Sequence, residues 1–91
     1  MSIGKRQPGV RIAVLEKDPE MGERLLKKTL ELEPEGHIRA WTLVYLARLA
    51  DAAGGRAEAV KYYKEALGVD GASEKAREAA QKGVAQSFSK P

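Results

Sequence analysis

Cysteine is absent from this chain, which excludes disulfides and thiolate metal sites. The exclusion matters because 91 residues make one domain at most, and a core of that size usually draws on a disulfide, a metal or a partner. Histidine occurs once, at His37, with only Glu33 and Glu35 as nearby acids. A metal site needs three or four converging ligands, so His37 reads as a loop histidine, and no metal or cofactor is expected. Long apolar runs are missing too. The longest, Leu43 to Ala47, is far from spanning a bilayer. Near the N-terminus GVRIAVLEKD is too short and too soon interrupted by charge for a signal-peptide core. A cytoplasmic protein without a membrane partner is the expectation.

The residues that chemistry would need are equally thin. Ser2, Ser73, Ser87 and Ser89 lie in tails or at a helix cap, none with a base placed to activate it. Glu31, Glu33 and Glu35 alternate with apolar residues as a solvated helix end does. A catalytic carboxylate pair needs a cleft that raises one pKa, for which a few small helices leave little room. Gly54-Gly55 is followed by Arg-Ala-Glu, and Gly68 and Gly71 by no Lys-Ser or Lys-Thr, so neither pair is a phosphate loop. The chain is expected not to be an enzyme.

What is present are good helix formers: Ala, Leu, Glu, Lys and Arg dominate, while β-branched residues are few and scattered. This composition predicts an all-α chain. Stop signals divide it. Residues 1–9, with Gly4, Pro8 and Gly9, read as a disordered lead, and residues 89–91 as a tail. Between them residues 10–88 form a single domain of about five helices. A short first helix is expected over Val10 to Lys17. Asp18-Pro19, an N-cap followed by proline at the first helical position, starts a second that ends before Pro34. A third runs from about Gly36 to Ala53 and a fourth from Arg56 to Leu67, with Gly54-Gly55 between them. Ser73 caps a fifth, whose Ala76, Ala79 or Ala80, Val84 and Phe88 recur at helical spacing.

The central hairpin carries most of the information. Leu46, Ala47, Ala50 and Ala53 share one helical face, and Ala59, Tyr63, Ala66 and Leu67 another, so small residues let two backbones approach closely. Leu46-Ala47, Ala50, Gly54, Ala59, Tyr63, Ala66 and Leu67 resemble the large/small signature of the tetratricopeptide repeat (TPR), a helix-turn-helix unit of about 34 residues. The match covers about residues 39–72. Leu26, Leu30 and the ending Leu32-Glu33-Pro34 resemble the second helix of a degenerate preceding repeat, with Gly22 standing where Ala59 stands in the better one. The resemblance implies antiparallel helical hairpins in a short right-handed solenoid segment, closed by a C-terminal capping helix.

On the third helix Trp41, Tyr45, Arg48 and Ala52 fall at steps of four, three and four, with Val44 and Asp51 flanking them. Core packing against the preceding repeat is one reading of Trp41 and Tyr45. The other follows from the resemblance: the first helix of each TPR unit lines a concave groove for extended peptides or partner helices, which would place Trp41, Val44, Arg48 and Asp51 along it. Aromatic and arginine side chains most often dominate interface energy. TPR proteins that hold chaperone C-terminal tails share a clamp containing asparagines, and this chain has no asparagine.

Charge adds little. The net +3 from 16 basic and 13 acidic residues gathers near the ends, and Lys27-Lys28 is surrounded by Glu23, Arg24 and Glu31 at helical spacing, so no nucleic-acid footprint emerges. The helices also lack the broad apolar face with a basic rim that membrane association needs. A noncatalytic protein-protein interaction module is therefore expected, with Trp41, Val44, Tyr45, Arg48 and Asp51 as partner-binding residues. The alternative is a structural segment that forms a homo-oligomer or caps a larger protein, since about three repeats are usually needed for a stable solenoid.

Overall fold

The computed structural model describes residues 18–87. The expected lead, the helix at 10–17, Phe88 and the tail lie outside them. The described residues form four helices and no strand: α1 (Pro19–Glu31), α2 (Gly36–Ala52), α3 (Arg56–Leu67) and α4 (Glu74–Ala85). Four of the boundaries have a clear local cause. Asp18 Oδ1 accepts from the Met21 N–H at 3.2 Å, satisfying one donor that the start of α1 leaves open, and Pro19 has no N–H to satisfy. At the other end Glu33 takes the left-handed region, φ 52°, and its N–H reaches the Leu30 carbonyl at 3.0 Å. Gly54 ends α2 with φ 88°, which lets the Gly55 N–H return to the Ala50 carbonyl at 2.8 Å. Ser73 Oγ accepts from the Ala76 N–H at 3.1 Å and starts α4.

α2 and α3 form the antiparallel hairpin, with α1 packed on α2 and α4 lying against both α3 and α2. The core between them is built of Leu43, Val44, Ala47, Ala59, Tyr63, Ala66 and Ala80. Ala47 and Ala59 are both fully buried within it, so the small residues sit where the helices come closest. A second cluster of Leu26 and Leu46, with Leu30, Tyr45, Leu49 and Tyr62 around it, fixes α1 to the hairpin. Ala53 departs from its expected place on the buried stripe. It is the C-cap of α2 and exposed, because the chain already leaves the helical path there.

The last helix buries Ala76, Ala80 and Gly83 and turns most of its surface to water. Ala79 and Val84 are only half-buried, so Gly83 replaces Val84 as the last buried position of the stripe. The reason is steric: a Cβ at Gly83 would overlap the Tyr63 ring, so this turn of α4 rests on the aromatic face itself. A second close approach lies at the start of α2. A Cβ at Gly36 would overlap the Asp70 carbonyl oxygen, so the first residue of α2 sits directly against the α3–α4 loop. No described helix is long and apolar enough to cross a membrane.

Candidate functional site

The residues predicted for partner binding divide into two groups. Trp41, Tyr45 and Arg48 form a continuous line along α2. The Trp41 and Tyr45 ring centroids stand 5.8 Å apart at 33°, and the Arg48 guanidinium carbon lies 6.0 Å from the Tyr45 ring centroid. All three are half-buried. Trp41 rests against the main core and Tyr45 against the Leu26–Leu46 cluster. Each has one side in the core and one side at the surface.

Val44 and Asp51 require correction. Val44 is fully buried, since its position beside Leu43 and Ala47 points it into the hairpin, and it offers a partner no surface. The Asp51 side chain is 1% exposed. Its carboxylate accepts two hydrogen bonds from Arg56 Nη1, at 3.2 and 3.0 Å, and one from the Tyr63 hydroxyl at 3.2 Å. Arg56 Nη2 then donates to the Val84 carbonyl at 3.1 Å, so one guanidinium ties the α2 carboxylate to the end of α4. A buried carboxylate needs such partners. Asp51 is thus an internal anchor for the hairpin and its last helix. Burial, the Asp51 charge and the hydrogen bond to it push the Tyr63 hydroxyl up to about 12.

Beside this anchor an open trough runs between α2 and α4. It comprises two adjoining cavities of about 260 and 570 Å³, both lined by Arg48, Ala79 and Lys82. Tyr63 and Gly83 floor the smaller, while Lys75 and Glu78 border the larger. Arg48 joins this trough to the Trp41–Tyr45 line. Lys75 and Lys82 were missed in the sequence reading. Their spacing of two helical turns already put them on one face, but which face met α2 depends on Gly83 being the contact with Tyr63.

The remaining candidates are placed simply. His37 Nδ1 is 3.7 Å from Glu35 Oε1, with both side chains exposed. Among the described residues no group of three or more potential ligands could hold a metal. Lys27 pairs with Glu23 one turn away at 3.0 Å, and that hydrogen bond is the main reason its pKa is raised. Compared with protein-family models, curated proteins and solved structures, the chain matches none of them.

Proposed function

We propose that this chain is a noncatalytic protein-interaction module of tetratricopeptide type, in which the trough between α2 and α4 receives a peptide or helix of a partner protein. The observation that carries this reading is the trough itself, entered by Arg48 from the half-exposed Trp41–Tyr45 line. In a solenoid of helical hairpins the first helices of successive units stand side by side. The α2–α3 hairpin and the docked α4 fit that pattern, with α4 as a capping helix whose outer face is polar.

A second reading draws on a different surface. Met21, Leu25 and Ile38 are 45%, 44% and 41% exposed and Leu32 is 75% exposed, on α1, the loop after it and the start of α2. That edge favours a structural role, a contact within a homo-oligomer or with the rest of a larger protein.

The absence of cysteine makes the two separable. A photo-cross-linker attached to Lys82→Cys or to Leu25→Cys reports one surface at a time in cells that make the protein. A partner captured from position 82, and released by Tyr45→Ala, is the expected result. Capture from position 25 alone, or cross-linking only to a second copy of the chain, would establish the structural role instead.

A further inference from the structure

We propose that Asp70-Gly71 is a modification site of this chain, where Asp70 converts to isoaspartate, and that the conversion releases the α3–α4 loop from the start of α2. Isoaspartate forms when the backbone nitrogen after an aspartate or asparagine attacks that residue's side-chain carbonyl carbon. The chain has no asparagine and three aspartates, so three positions compete. Two of them are closed. Asp18 precedes Pro19, whose nitrogen carries no hydrogen to lose. Asp51 and the following Ala52 both lie in α2, and the Asp51 carboxylate is 1% exposed and held by Arg56 and Tyr63. Asp70 and Gly71 differ on each count. Both are exposed, in the loop between α3 and α4. The Ala72 N–H donates to the Val69 carbonyl at 3.3 Å, which closes a turn around the pair and uses neither the Asp70 carboxylate nor the Gly71 N–H. Among the described residues neither group has a hydrogen-bonding or ionic partner. Gly71 stands at φ 87° and has no side chain to shield its nitrogen.

The reaction needs only water. The Gly71 nitrogen attacks Cγ of the protonated Asp70 carboxyl, a C–N bond forms as a C–O bond breaks, and the N–H proton leaves with the hydroxyl as water. Water then opens the resulting succinimide. Addition at Cγ restores aspartate, whereas addition at the former backbone carbonyl carbon routes the chain through Cβ and Cγ and frees that carbonyl as a carboxylate. The net change is an isomerisation at constant mass. It falls on a tight contact, because the same carbonyl oxygen packs so closely on Gly36 that a Cβ there would overlap it. An extra methylene in the backbone and a charge on that oxygen break the fit.

The protein is held folded in neutral buffer for weeks. Isoaspartate is read by labelling with protein isoaspartyl methyltransferase and located by electron-transfer dissociation mass spectrometry. It is expected to accumulate at position 70 while positions 18 and 51 stay at background. Asp70→Glu, at an exposed position, should fold normally and lose the signal, since closure of the larger imide ring is far slower. The isoaspartyl form, separated by reversed-phase chromatography and refolded beside the parent, should melt at a lower temperature. Isoaspartate no faster at 70 than at 51 in the folded protein, or appearing at 70 only after denaturation, would overturn the assignment. Equal melting temperatures would overturn the release of the loop.

Discussion

At Gly83 the usual effect of a glycine in a helix reverses sign. Replacing an interior helical glycine by alanine ordinarily stabilises by about 0.5–1 kcal/mol. Here the added Cβ overlaps the Tyr63 ring, and relieving such an overlap costs about 1–3 kcal/mol. Gly83→Ala should therefore lower the melting temperature, although it raises helix propensity. Tyr63 itself supplies a pH dependence. Its hydroxyl ionises at about 12 in the folded chain against an ordinary 10.0, so the unfolded chain loses that proton first as pH rises. Stability from this group is complete below about pH 10 and disappears between about 10 and 12, on the order of 2–3 kcal/mol. In alkaline titrations followed by circular dichroism, Tyr63→Phe should lose less stability over that window than the parent protein.

Helices α2 and α3 depend on small residues, and α4 depends on a polar strap. Ala47→Leu should force α2 and α3 apart at a cost of about 1–3 kcal/mol, while Ala57→Leu on the exposed side of α3 should change stability little. α4 buries only Ala76, Ala80 and Gly83 fully, so little apolar area holds it and Arg56 matters more. Arg56→Met removes the bond to Val84 and both Nη1 bonds to Asp51, leaving a buried carboxylate with only Tyr63 among these partners, at a cost of about 1–3 kcal/mol because the Arg56 side chain itself is 38% exposed. Hydrogen exchange in this variant should accelerate first across α4 amides, with α2 still protected. Uniform acceleration in all four helices would contradict a separately anchored α4. The contrast also explains what the sequence made legible. Helix ends at Asp18-Pro19, Gly54-Gly55 and Ser73 follow local rules of capping and backbone freedom, and the buried faces of α2 and α3 follow periodicity. Asp51 and Arg56 were legible only as charges near a turn. Their pairing, and the descent of Gly83 onto Tyr63, arise from how a third helix seats on the hairpin, which no local rule contains.

For the whole molecule the consequence is a division of surfaces. The α2–α4 side carries the cationic trough beside the Trp41–Tyr45 line, and the α1 side carries exposed Met21, Leu25 and Leu32. Val44 and Asp51 were placed on the groove by the resemblance because their positions on α2 point toward neighbouring first helices. Val44 instead packs into the core of the hairpin and Asp51 is bound by Arg56 and Tyr63 of α3, which buries both side chains. Arg48, Lys75 and Lys82 line the trough. The most direct test is amide shift mapping by NMR, titrating the ¹⁵N-labelled protein with the partner captured from position 82. Saturable shifts centred on Arg48, Lys75, Ala79 and Lys82, with Met21, Leu25 and Leu32 unmoved, are the predicted result. Shifts centred on the α1 edge, with the trough unmoved, would contradict the groove as the binding surface.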